Sequence, residues 1–252
     1  MSLPLALPLS ALFALVGWRL RALTGLGALV AGVLGTCILG ATGWAGMAAL
    51  GSFFIGSSLV SRLAPDPGAE RFGTKGTRRD GWQVLANGGA AAAAALVLRE
   101  AALPVVTISL AAAAADTWAT AFGGWSRTAP RDILTGQPVL AGASGGITLF
   151  GTAGGALGAS LVGLSSAAVA GAWSLFSPAL ILGMLGMLVD SILGAAVQGR
   201  FHCAACDQPT ERRVHRCGRP SRHTGGLAWL TNDGVNALAT GIATTLGWWV
   251  SR

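Results

Sequence analysis

Charge is scarce in this chain. Only 11% of its 252 residues are Asp, Glu, Lys or Arg, while 52% are hydrophobic. A soluble domain carries about a quarter of charged residues, so a water-soluble fold is excluded. There is no tyrosine, and Lys75 is the only lysine. The first apolar run, Leu3 to Val16, has no basic segment before it and no clean small-residue cleavage site after it. That argues against a signal peptide and makes the run a retained first helix. Acids number 10 against 17 Lys and Arg, for a formal charge of +7.

What is present in quantity is Ala, Leu, Val and Gly, with 38 glycines that suit close helix contact in lipid. At about 20 apolar residues per crossing, spans are expected near 3–17, 22–40, 44–61, 82–98, 104–122, 144–164, 178–198 and 227–250. The stretch 167–177 reads as a short interfacial turn. The expected fold is all-α: a polytopic transmembrane bundle of about 7–8 spans, one integral domain over 1–252. A small zinc-knuckle loop, 199–226, precedes the last helix. Fifteen of the 17 cations fall in alternate loops, leaving only Arg99 and Arg252 on the other side. The positive-inside rule makes the basic side cytoplasmic and puts the N-terminus outside the cytoplasmic membrane. The charge is thus a topology signal, and nucleic acid is a poor partner for it.

Three acids lie within apolar stretches: Asp116 in LAAAAADTWATAFG, Asp190 in LGMLVDSILGAAVQ and Asp233 in GLAWLTNDGVNALAT. A carboxylate in a spanning helix costs about 2.5–3.5 kcal/mol on insertion scales and normally has a function. With Asn87, Asn232 and Asn236 they are expected about 7–12 Å below the cytoplasmic surface at about 1.5 Å rise per residue. Such a set would form one shared cavity. Asp116-Thr117 and Asp190-Ser191 also hint at duplicated halves.

The loops supply partners for anions and metals. Lys75, Arg78 and Arg79 could neutralise phosphate oxygens. The run Gly142-Ala143-Ser144-Gly145-Gly146 is expected to open the next helix, its amides facing an anion. Cys203-x-x-Cys206 followed by His215-x-Cys217 offers four ligands to a structural zinc in a reducing compartment, with His202 and His223 as competitors. Cys37 is expected to be packing.

The string ADTWATAFGGWSRTAPRDILTGQPVLAGASGGITLFGTAGG, from Ala115 to Gly155, resembles the hallmark of an integral membrane family of formerly unknown function. That family includes the plastid phytyl-phosphate kinase. The likeness extends through Arg78–Gly89, Met187–Gln198, the Cys203/Cys206/His215/Cys217 loop and Gly226–Thr240, covering most of the chain after residue 75. A fainter likeness runs to CTP-dependent polyprenol kinases and cytidylyltransferases.

The resemblance implies a kinase acting on an isoprenoid (phytyl or prenyl) monophosphate with a nucleoside triphosphate, CTP favoured. In that reading Asp116, Asp190 and Asp233 hold Mg²⁺. Lys75, Arg78, Arg79, Asn87, Thr117, Ser144, Gly145, Gly146, Asn232 and Asn236 bind phosphate or substrate. The substrate's tail stays in the bilayer. The alternative is a transporter of ions or small phosphorylated or lipid-like substrates that uses the intramembrane carboxylates.

Overall fold

The computed structural model describes residues 3–65, 72 and 76–252. Among the described residues there are seven α-helices: α1 Leu3–Arg19, α2 Gly25–Leu63, α3 Gly81–Leu98, α4 Leu103–Trp125, α5 Leu149–Ala170, α6 Phe176–Ala196 and α7 Asn232–Val250. Among the described residues, α2, the continuous stretch Gly81–Trp125, α5 and Trp173–Ala196 are four segments long and apolar enough to cross a membrane; α1 is a shorter apolar helix.

Two of those segments fold back on themselves. At Gly43 the backbone takes φ 63 and ψ −152 inside α2. A Cβ on Gly35 would lie 3.7 Å from Leu50 Cδ2, a contact impossible in a straight helix of this length. Thus α2 is a hairpin of two arms, with Ile38, Ala49 and Phe53 in its core. Arg99, with φ 51 and ψ −116, reverses the chain between α3 and α4, and a 3-10 turn over Arg99–Ala102 leads into Pro104 at the start of α4. The expected separate spans on either side of residues 43 and 99 are therefore present.

Tryptophans mark the two ends. Trp18, Trp82, Trp125 and Trp229 are exposed at the end where the long loops lie, and Trp44, Trp173 and Trp249 at the other. Amphipathic indoles at both interfaces are what a spanning bundle carries.

Helix α4 is the hub, and residues 105–115 are buried almost without break. It packs tightest on α5, where glycine removes the obstacle. A Cβ on Gly158 would stand 2.8 Å from Ala114 O, and one on Gly155 would stand 3.0 Å from Ala115 O. Where no hydrophobic effect drives helices together, close van der Waals approach of this kind does so.

Two expectations are corrected. The helix after the glycine-rich run begins at Leu149, with Thr148 Oγ1 capping Gly151 N, and not at Ser144. Residues Gly146–Ile147 instead form strand β2, antiparallel to β1, Arg131–Asp132. The last helix begins at Asn232, capped by Thr231, and not at 227. Before it, the 199–226 loop is a small three-stranded sheet ordered β4-β3-β5, from β3 Arg200–Cys203, β4 Gln208–Thr210 and β5 Arg222–Gly225.

Candidate functional site

Polar side chains from four helices meet in one cavity. Asn87 of α3, Asp116 of α4, Asp190 of α6 and Asn236 of α7 line it with Ala112, Ala113, Gly186, Ala239 and Thr240. Its volume is about 10 Å³, room for roughly one water or one ion. The lining polar groups lie six residues into α3, nine before the end of α4, six before the end of α6 and four into α7. At about 1.5 Å per residue they sit about 6–14 Å from the helix ends, all toward the loop-rich end.

The convergence has a packing cause. A Cβ on Gly186 would stand 2.6 Å from Ala112 Cβ, so only glycine lets α6 approach α4 there. Asp116 and Asp190 each lie four residues beyond that contact, on the same helix faces. Their carboxyl groups face the same small cavity. Two bare carboxylates so close repel, and a cation or a shared proton relieves that repulsion. Asn236, its amide nitrogen turned toward Asp190, donates to Asp190 Oδ2 at 2.9 Å and to Asn232 O at 3.2 Å. Asn87 Nδ2 donates to Gln83 O at 2.8 Å, and Gln83 forms the capping box with Asp80 that starts α3. Thr240 Oγ1 bonds Ala86 O at 3.0 Å and ties α7 to α3. Sequence reasoning missed Thr240 and Gly186; the signal for Gly186 was a glycine one turn before an intramembrane aspartate.

The remaining candidates lie elsewhere. Asp233 sits in the first turn of α7 and Asn232 beside it is exposed; neither lines the cavity. Thr117 Oγ1 bonds back to Ala113 O at 2.9 Å within its own helix. Arg78 Nε donates to Leu23 O at 2.9 Å, and the Arg79 guanidinium stands 5.1 Å over the Phe53 ring. Neither arginine reaches into the cavity. Lys75 falls outside the described residues. The glycine run offers no open amide nest: Gly146 N donates to Ala143 O, Ser144 Oγ donates to Glu211 Oε1 at 2.5 Å, and Gly145, at φ 82, packs against Ala195.

The second cluster is in the knuckle. One ligand atom each from Cys203, Cys206, His215 and Cys217 lie within 4.8 Å of one another. Cys203 Sγ and Cys217 Sγ are 3.7 Å apart, close to the about 3.8 Å edge expected for two thiolates at about 2.3 Å from a tetrahedral ion. His215 Nδ1 is 3.2 Å from Cys217 Sγ. That hydrogen bond is the main cause pushing the Cys217 thiol down to about 6, while Cys206 is pushed up to about 11, chiefly by its hydrogen bond to Cys217. The donor set therefore fits a metal. His202 is instead engaged with Asp207 at 3.3 Å, and His223 packs on Phe201 at 5.4 Å between ring centres, so neither competitor joins the cluster.

Comparison with known proteins adds a family to this geometry. The chain is 34% identical over 181 residues to the uncharacterized membrane protein MJ0933 of Methanocaldococcus jannaschii, covering 69% of this chain and 74% of that one. It is 33% identical over 133 residues to Protein PGR of Arabidopsis thaliana, covering 48% of this chain and 45% of that one. No solved structure matches. The profile described as Integral membrane protein DUF92 matches residues 8–244, a span that contains both the cavity and the knuckle, and the chain belongs to that integral membrane family.

Proposed function

We propose that the protein is a membrane-embedded phosphotransferase that passes the γ-phosphoryl of a nucleoside triphosphate, CTP favoured, to an isoprenoid monophosphate at a cytoplasm-facing site. The observation that carries this reading is the meeting of Asp116 and Asp190 in one small cavity, with Asn236 hydrogen-bonded to Asp190, at the end of the bundle where the basic loops lie. The family resemblance of Ala115–Gly155 supports the same class of acceptor.

Phosphoryl transfer needs positioning and charge neutralisation more than covalent help from protein. An oxygen of the isoprenyl monophosphate attacks the γ-phosphorus. The bond to the β,γ-bridging oxygen breaks, and the nucleoside diphosphate leaves with that electron pair. The attacking oxygen is already anionic, so no side chain has to remove a proton. Mg²⁺ held by Asp116 and Asp190 would neutralise charge on the β- and γ-phosphates. A volume of about 10 Å³ leaves no room for a nucleotide, so both phosphate chains lie at the mouth, near the first turn of α7. There Asp233 and Asn232 can meet them, and Lys75 and Arg78, which precede α3 in the sequence, are the candidate cations. Asn236 holds Asp190, and Asn87 closes the opposite wall. The prenyl tail remains among lipid chains.

The knuckle, in the same reading, binds one structural zinc through Cys203, Cys206, His215 and Cys217. Four protein ligands leave no open position for catalysis.

Incubating purified protein with labelled CTP or ATP and a panel of isoprenoid phosphates, with mass spectrometry of the lipid, tests the function. A new isoprenyl diphosphate supports it, and unchanged lipid with intact nucleotide overturns it. A second reading, translocation of a proton or a small cation, draws on the cavity's single-ion size within the bundle. Ion flux in protein-loaded vesicles without nucleotide would favour that reading.

A further inference from the structure

Glu211 lies at the base of the knuckle, directly after β4, and its carboxylate reaches away from the metal cluster. It accepts from Ser144 Oγ at 2.5 Å, and Gln198 Nε2 donates to the same hydroxyl at 2.8 Å. Gln198 is only 2% exposed. Next to it, Thr210 Oγ1 and Glu211 N both donate to Phe72 O, at 3.2 and 3.3 Å. Two consecutive residues therefore hold both the turn before α5 and Phe72. Among the described residues no arginine forms a salt bridge with Glu211, although the knuckle carries six.

The turn gripped by Glu211 is itself seated on α6. A side chain at Gly145 would overlap Ala195, and a Cβ on Gly194 would lie 3.2 Å from Gly145 N. Gly194 is one turn beyond Asp190. In the other direction, β4 pairs with β3 and Gln208 stands opposite Cys203, a residue of the metal cluster. A continuous path thus runs from Cys203 through the β3–β4 hairpin, Glu211, Ser144 and Gly145 to the end of α6.

We infer that Glu211 is a positioning residue through which metal occupancy of the knuckle sets the seating of the α6 end, and with it Asp190. With metal bound, the hairpin is held and Glu211 clamps the Ser144–Gly145 turn onto Gly194 and Ala195. With metal removed, the hairpin loosens and the clamp opens. The inference rests on the knuckle holding a metal and on Asp190 belonging to the site, but on no particular reaction.

Hydrogen exchange on the full-length protein in lipid nanodiscs tests it. The samples are the zinc-loaded wild type, the wild type after zinc chelation, Glu211→Ala and Glu211→Gln. Glu211→Ala should exchange on the order of tenfold faster over 142–147 and 193–198, with zinc content unchanged. Chelated wild type should show the same acceleration in those segments. Glu211→Gln, which keeps an acceptor for Ser144, should exchange no faster than wild type, and the middle of α5 should be unchanged throughout. Acceleration confined to 200–225 after chelation, or an Ala variant unaltered over 142–147, would overturn the inference. Absence of phosphoryl transfer would leave these exchange outcomes readable, so the two ideas fail separately.

Discussion

Gly186 and Ala112 stand so close that a methyl on Gly186 would meet the Ala112 methyl at 2.6 Å. One turn further on, the same two helices present Asp190 and Asp116 to each other. The small pair sets the distance between the two acids.

Gly186→Val should therefore separate α4 from α6 at the level of the site. Overpacking of this kind costs about 1–3 kcal/mol. Divalent-cation affinity and any transferase activity should fall at least about tenfold, since one tenfold step corresponds to only about 1.4 kcal/mol. Thermal unfolding and cation titration on the same sample check both effects. A variant with unaltered cation affinity would show that the close approach is not what positions the acids.

Asn236 supplies a hydrogen bond to Asp190 that leucine cannot. Asn236→Leu is close in volume, so a fall in activity of about tenfold with less than about 2 kcal/mol lost in stability would separate positioning from packing. Equal losses in both would assign Asn236 to helix association alone.

For the knuckle, purified protein should contain one zinc per chain. Cys206→Ser and Cys217→Ser should lower zinc content well below stoichiometric, while His202→Ala and His223→Ala should keep it, because those rings face Asp207 and Phe201. Elemental analysis after extensive dialysis distinguishes the two sets.

Burial pushes the Glu211 carboxyl above its ordinary value, while hydrogen bonds from Ser144 and Gln198 pull the other way. A carboxyl raised in the folded state favours folding below its unfolded pKa, and that contribution is lost as pH rises through the folded value. Glu211→Gln, a neutral mimic, should match wild type near pH 4. Its relative stability should grow as the pH is raised toward neutrality. Thermal melts at stepped pH read this out, and a constant difference across the range would remove Glu211 from the pH dependence.

Much of this arrangement was legible in the sequence. Asp116, Asp190, Asn87 and Asn236 stand out because polar groups in apolar helices are costly, and similar depth on four helices favours a meeting point. The knuckle ligands follow from their spacing. Asp233 reads as lying deeper than it does because Leu227–Leu230 continues the apolar pattern, whereas Thr231 caps the helix and puts Asp233 in the first turn. The Gly142–Gly146 run reads as a helix start because glycine looks the same in an anion nest and in a tight seat. Only the packing of Gly145 on Ala195 decides between them. Arg79 looked like a phosphate ligand, but its guanidinium lies over Phe53, a contact 26 positions away that local pattern does not reveal. Glu211 was hidden among arginines that suggested only sidedness.

The most direct measurement is phosphoryl transfer from labelled nucleotide to an isoprenyl monophosphate by wild type, Asp116→Asn and Asp190→Asn, with thermal stability recorded on the same preparations. Wild-type activity that needs Mg²⁺, a loss of at least about a hundredfold in each variant, and melting curves at or above wild type are the expected result, since removing a charge from a repelling pair does not destabilise the bundle. Full activity in either variant would contradict the claim that these two carboxylates work together at the reacting phosphates.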